Sequence, residues 1–256
     1  MSFYRLGGLM FATFLFLLNT LVAYLVGSIC SAVIVCRLFD LPDPRLEGSK
    51  NPGATNVLRL AGKQYAAIVL LADIIKGVLP VLLAKSLGAG PIILGFTCFA
   101  AVIGHMYPLY FKFKGGKGVA TAIGALLGFH FLLGVLVIAT WLVIANFSRY
   151  SSLASIISMG LAPFYSLYSV GNLNAFLPLM FIALFILYKH RDNVTRLIDG
   201  KEPKVSFHQK AHPQGTTPIN EPQPEPKIKK PAKKTSKTTP KRNPATAKKT
   251  TPKKQV

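Results

Sequence analysis

The sequence predicts an all-α integral membrane protein: a polytopic helical bundle of seven transmembrane helices, with five as the alternative, and a disordered basic tail. Three observations lead there. Of the 256 residues, 51% are hydrophobic and only 15% charged, with a mean hydropathy of +0.41, a balance that soluble domains rarely show. Four runs, Leu9 to Cys36, Gln64 to Leu83, Pro91 to Tyr110 and Gly118 to Phe147, are nearly uncharged and long enough to cross a bilayer. From residue 205 onward the chain is rich in Pro, Lys, Thr and Gln and nearly empty of large apolar groups, so it cannot bury enough surface to fold. The chain therefore divides into a membrane domain, residues 1–204, and a tail, residues 205–256.

Spans must be helices, because lipid cannot satisfy open backbone groups. The first run follows Arg5 and imitates a secretory signal, but it is too long for an h-region and no small-x-small cleavage site follows. It reads as a first transmembrane helix. The next polar segment, Arg37 to Lys63, holds Arg37, Arg45, Lys50, Arg59 and Lys63, which by the positive-inside rule makes it cytoplasmic. The N-terminus is then outside, as is the Lys85 to Gly90 link, and the loop "KFKGGKG" returns to the cytoplasm. Gly118 to Phe147 as one straight helix would reach about 45 Å, too long for a core of about 30 Å. A turn at His130, next to Gly128, divides it into Gly118 to His130 and Phe131 to Phe147. With Leu153 to Tyr168 and Ala175 to Tyr188 this makes seven spans with a cytoplasmic C-terminus. The undivided reading makes five and puts Ser148 to Ser152 outside.

Cys30, Cys36 and Cys98 lie inside apolar spans, an odd number without metal-ligand spacing. They read as small packing residues. Asp73 and Lys76, three apart within the second run, read as a mutually neutralising pair. His105, in "GHMYP", suits either the site or a hydrogen bond within the bundle.

Four polar constellations carry the chemistry. In "GSKNPGATNVLR", Gly48 to Arg59, the side chains of Ser49, Asn51, Thr55 and Asn56 offer hydrogen bonds and Arg59 a fork for phosphate oxygens. The same stretch also suits a polar helix cap with Pro52 opening the next helix. In "YFKFKGGKGVAT", Tyr110 to Thr121, glycines let backbone N–H groups converge on an anion and lysines supply charge. It is not a Walker A loop: Gly118 stands where Ser or Thr should coordinate magnesium. Cationic loops also serve topology alone, but that does not require "GGKG". In "YSSLAS", Tyr150 to Ser155, Ser151 or Ser152 could simply cap a helix. In "KHRDN", Lys189 to Asn193, His190 and Asn193 share one helical face and His190 is a candidate base.

Taken together these segments, with "DIIKGVLPV", resemble the bacterial acyl-phosphate:glycerol-3-phosphate acyltransferases, the PlsY family, from about Gly27 to Asp199. The resemblance implies transfer of a fatty acyl group from acyl phosphate to glycerol 3-phosphate, giving lysophosphatidate and inorganic phosphate. It implies an active site on the cytoplasmic face of the bacterial inner membrane, and neither metal nor cofactor. It also implies catalytic roles for Ser49 and Arg59, contact of glycerol phosphate with Lys114, Gly115, Gly116, Lys117 and Gly118, and site roles for Ser151, Ser152, His190 and Asn193. Many members read "GSGN" and "HREN" where Lys50 and Asp192 stand here. Acyl phosphate is already activated, so direct transfer needs no protein nucleophile. The proton acceptor is His190 or a substrate phosphate oxygen.

The alternative reading is a membrane transporter of an organic phosphate, which Asp73, Lys76 and the Gly-broken helices would suit. Against it, the phosphate-binding candidates gather at one membrane face instead of the midplane. The tail holds thirteen Lys and Arg against two Glu. It is read as attaching to anionic lipid headgroups, in preference to nucleic acid, which similar compositions bind.

Overall fold

The computed structural model describes residues 2–171 and 173–205, with side chains from Gly7 onward. The expected tail lies outside the described residues apart from Val205. The described residues form ten α-helices and two 3-10 turns and contain no strand. In order these are α1 (Ser2–Gly27), α2 (Ser31–Leu38), α3 (Ala54–Ala61), α4 (Lys63–Ser86), α5 (Pro91–Met106), a 3-10 turn (Leu109–Phe111) and α6 (Val119–Phe129). Then follow α7 (Phe131–Ser148), α8 (Ser151–Ser169), a second 3-10 turn (Leu173–Ala175), α9 (Phe176–Lys189) and α10 (Arg191–Ile198).

Four helical stretches are long and apolar enough to cross a membrane: Gly7–Leu38, Lys63–Ser86, Pro91–Phe111 and Phe131–Ser148. A fifth appears if Leu173–Lys189 and Arg191–Ile198, bent by 58°, count as one span. The chain is thus a multi-pass membrane protein, all-helical among the described residues. The long fourth run breaks at His130, whose extended backbone (φ −150°, ψ 116°) ends α6 and starts α7. The first run, which reads as a single helix in the sequence, is interrupted at Ser28–Cys30. The interruption frees the Ile29 carbonyl, which accepts a 2.6 Å hydrogen bond from Lys76 Nζ. An ammonium group among apolar helices needs such acceptors.

Packing follows membrane logic, with small residues where backbones meet and large ones turned outward. A side chain at Gly77 would collide with the Thr121 carbonyl, and one at Gly124 with that of Ile74, so α4 and α6 lie nearly in backbone contact. Gly27 and Gly104 bring α1 against α5 in the same way. Met106, Leu126, Leu133, Leu179 and Ile186 fill the interior, while Leu17, Leu71, Leu79 and Phe147 are exposed on the outer face. The three cysteines are buried and free, as packing residues should be. Two helix-start expectations do not hold. Gly53, not Pro52, occupies the cap position of α3. Tyr150 holds the cap position of α8, so Ser151 and Ser152 lie inside its first turn and neither makes a side-chain cap.

Candidate active site

The four polar constellations converge on one cavity of about 860 Å³. Its walls come from the loop before α3, the glycine loop before α6, the start of α8 and the bend between α9 and α10.

The first wall is shaped by a side-chain staple. Asn56 is 1% exposed. Its Oδ1 accepts the Ser49 N–H (2.9 Å), while its Nδ2 donates to the carbonyls of Pro44 and Glu47 (3.0 Å each). Asn56 therefore fixes the loop, and the loop presents Ser49, Asn51 and Thr55 to the cavity. Gly48 (φ 61°) is required there, since a side chain would strike the Asn56 amide. Arg45 is engaged by Asp43 through its Nε and Nη2. Arg59, half-buried on α3, makes no hydrogen bond to the protein among the described residues, and burial lowers its pKa. Its fork is open to an anion.

The glycine loop turns sharply through left-handed backbone at Lys112 and Phe113 and again at Gly118. Gly115, Lys117 and Gly118 line the cavity, as do Val119 and Ala120 in the first turn of α6. The unpaired N–H groups of that turn make an anion-favouring end. Gly116 is buried beneath the surface, its N–H donated to the His105 carbonyl (3.2 Å), and Lys114 points to the exterior. Of the residues expected at the site, these two alone do not line the cavity.

At the bend, His190 is 3% exposed and its Nδ1 lies 2.8 Å from the Ile186 carbonyl. A carbonyl only accepts, so Nδ1 carries the proton and Nε2 keeps its lone pair. Burial, followed by the nearby Lys117 cation, pushes the imidazole pKa down to about 4. Burial likewise lowers Lys117 to about 8, against the opposing pull of Glu202. Lys117 Nζ donates to Asn193 Oδ1, and Asn193 Nδ2 donates to Glu202 Oε1 (2.6 Å). The other Glu202 oxygen accepts from Arg196 Nε (2.8 Å). Burial opposes the charge on Glu202, but the neighbouring Ser152, Asn193 and Arg196 prevail and hold its pKa below the usual value. Ser152 stands beside this carboxylate, its hydroxyl buried and without a partner of hydrogen-bonding geometry.

Glu202 and Arg196 were not among the sequence candidates. A carboxylate among the alternating charges of "DGKEPK" is indistinguishable by residue type from the start of a charged tail. What places it is the turn at Gly200 (φ 68°), which folds residues 201–205 back until the Val205 N–H meets the Arg149 carbonyl (2.8 Å). The cavity also has an apolar lining, from Leu70, Ile74, Ile123, Ile138 and Leu142 together with Trp141. Trp141 Nε1 donates to Ser155 Oγ (3.0 Å), which keeps the ring in place. Among the described residues, no group of three or more His, Cys, Asp or Glu is placed to hold a metal ion.

Comparison with known proteins gives consistent matches. The family model described as glycerol-3-phosphate acyltransferase matches residues 17–200. A glycerol-3-phosphate acyltransferase of Legionella pneumophila subsp. pneumophila (strain Philadelphia 1) is 68% identical over 196 residues, 77% of this chain and 70% of that protein. One from Methylococcus capsulatus (strain Bath) is 48% identical over 183 residues, 72% of this chain and 92% of that protein. Among solved structures, PlsY, an integral membrane glycerol 3-phosphate acyltransferase, superposes in its glycerol 3-phosphate form with a TM-score of 0.71 and 40% identity. The match covers 75% of this chain and 96% of that one. Its lysophosphatidic acid form gives a TM-score of 0.69 and 38% identity over the same shares.

Proposed function

Because this chain belongs to the glycerol-3-phosphate acyltransferase family and is itself such an enzyme, we propose that it transfers a fatty acyl group from acyl phosphate to a glycerol 3-phosphate hydroxyl. The products are lysophosphatidate and inorganic phosphate. Family membership displaces the transporter reading. One observation supports this reading most directly: a single cavity is lined both by the phosphate-binding candidates Arg59 and Lys117, with His190, and by apolar side chains such as Ile123 and Leu142. A phosphate ester and an acyl chain can therefore meet within it.

In this reading Arg59 and Lys117, with the amino end of α6, hold the phosphates. Ser49, Asn51, Thr55, Ser151 and Ser152 hydrogen-bond the polar parts of both substrates. Asn56 acts by setting the Ser49 loop, and Asn193 by aiming Lys117. Lys114 contributes charge at a distance, and Gly116 contributes by lacking a side chain. The glycerol hydroxyl oxygen attacks the acyl carbon, and the carbon–oxygen bond to phosphate breaks with its electron pair leaving on the phosphate. The His190 Nε2 lone pair accepts the hydroxyl hydrogen bond. With a pKa of about 4 His190 is a weak base, so the proton finishes on a phosphate oxygen. Proximity and charge stabilisation supply the rate, with no acyl-Ser49 intermediate.

The same reading assigns seven spans: α1 with α2, then α4, α5, α6, α7, α8 and α9. It puts the N-terminus outside and the site on the cytoplasmic face of the bacterial inner membrane. The cationic loops around the cavity support this orientation. Residues 205–256 are assigned to a basic tail that attaches to anionic lipid.

Purified protein given acyl phosphate and glycerol 3-phosphate should release phosphate in step with lysophosphatidate. No reaction, or a need for acyl-CoA, would overturn the proposal, and a trapped acyl-Ser49 adduct would overturn direct transfer.

A further inference from the structure

Directly beneath the glycine loop lies a buried polar cluster that the chemistry above does not use. Helix α4 supplies Asp73 and Lys76, α5 supplies His105 and α6 supplies Thr121, all at most 6% exposed. Lys76 Nζ lies 2.8 Å from Asp73 Oδ1. His105 Nδ1 lies 3.6 Å from the same carboxylate oxygen and 3.2 Å from Thr121 Oγ1.

As helix glue this cluster makes a poor bargain. Intramembrane ions are expensive, interhelical polar bonds in lipid contribute little, and buried ion pairs are often replaceable by apolar side chains. Its placement is more informative. The His105 carbonyl holds the Gly116 N–H, and a side chain at Gly116 would run into the His105 ring and crowd the Pro52 carbonyl of the first polar loop. A side chain at Gly115 would strike the His105 carbonyl and Pro108. Thr121 sits in the first turn of α6, whose preceding residues line the cavity, and Asp73 itself reaches the cavity wall. The imidazole is thus wedged between a neutralised carboxylate on one side and the loop that carries Lys117 on the other.

We propose that Asp73, His105 and Thr121, with Lys76 neutralising Asp73, form a buried brace that positions the Gly115–Lys117 loop and the amino end of α6 on the phosphate of glycerol 3-phosphate. The inference rests on the reading of that loop as the acceptor's phosphate site. The three are positioning residues: they act through Lys117 and the α6 N–H groups and do not touch the reacting atoms.

The test is steady-state kinetics and thermal unfolding of the full chain in one detergent, with glycerol 3-phosphate and acyl phosphate varied in turn. Three variants carry it: His105→Ala, Thr121→Val, and the apolar pair Asp73→Leu with Lys76→Met. Each should raise KM for glycerol 3-phosphate, by about tenfold or more for His105→Ala and the pair and about fivefold for Thr121→Val, while kcat and KM for acyl phosphate stay within about twofold. His105→Asn, whose amide nitrogen can replace Nδ1, should return KM to within about threefold of the parent. Folded variants with parental KM would overturn the brace. So would a set in which kcat, both KM values and the unfolding midpoint decline together, since that marks a purely structural role. If His105→Ala does not fold, Thr121→Val and the Asp73→Leu with Lys76→Met pair decide the matter by the same criterion, with His105→Asn as the conservative control. Failure of the functional reading is distinct, because the unsubstituted chain would then transfer no acyl group at all.

Discussion

Lys117 and His190 sit side by side in a site that disfavours positive charge, and both pay for it in proton affinity. Lys117 is charged below about pH 8 and loses its proton above it. kcat/KM for glycerol 3-phosphate should therefore fall on the alkaline side of about 8, and Lys117→Arg should shift that limb upward by removing the titration. Lys117→Ala should raise KM for glycerol 3-phosphate about tenfold or more, the loss expected for a charge-assisted bond. His190→Ala should instead lower kcat, by about a hundredfold, with that KM little changed. The same histidine shapes acid stability. Its folded pKa of about 4 lies below the ordinary 6.5, so between those values the unfolded chain binds more protons. Stability should fall as pH drops through that window, which the unfolding midpoint can follow. These residues were legible in the sequence because polar and cationic groups stand out at the edges of nearly uncharged apolar runs. Asn56 was legible as a site residue but not as a staple, since its partners Pro44 and Glu47 are chosen by the fold. Glu202 was not legible, because its bonds to Asn193 and Arg196 exist only once the chain reverses at Gly200.

Helix length and spacing were the more readable level. A run of about 45 Å cannot stay one straight span, and the chain does break at His130. The break at Ser28–Cys30 also falls within a run too long for one straight span, beside Gly27 and Ser28. The use made of it is hidden, since Lys76, which donates to the Ile29 carbonyl, lies 47 residues from it. The close α4–α6 crossing also escapes a reading by hydropathy, which treats Gly77 and Gly124 as merely permissive. Gly124→Leu should force those backbones apart and lower stability by about 1–3 kcal/mol, visible as a drop in the detergent unfolding midpoint. The segment 201–205 behaves as a strap. Glu202→Gln should weaken its hold on Arg196, which is partly exposed, by about 1–2 kcal/mol. Activity should hold in Glu202→Gln, whose amide oxygen can still accept from Asn193 Nδ2, and should fall in Glu202→Ala, which removes the partner that aims Asn193 at Lys117.

For the whole molecule, the open question of five or seven crossings turns on one helix end. Asn146 is exposed near the end of α7. In a background without the three native cysteines, Asn146→Cys should resist a membrane-impermeant thiol reagent added outside intact cells and react after permeabilisation. Labelling from outside would restore the five-span reading. The tail offers a separate measurement. Removing residues 206–256 should reduce activity on anionic vesicles and leave it unchanged on neutral ones. An equal loss on both would end the lipid assignment.

The cavity that joins a cationic region to an apolar one has a further consequence for how this enzyme must be measured. Its two substrates occupy spaces of different dimension. Glycerol 3-phosphate arrives from a volume and is counted in moles per litre, whereas a donor held by its tail lives in a sheet and is counted per unit of lipid. Diluting the bilayer with inert lipid at constant total donor should slow the reaction without altering KM for glycerol 3-phosphate, while diluting the buffer at constant glycerol 3-phosphate concentration should change neither. On the proposed reading, the crowding of the donor in a surface and the concentration of glycerol 3-phosphate in solution together set how often the two substrates meet.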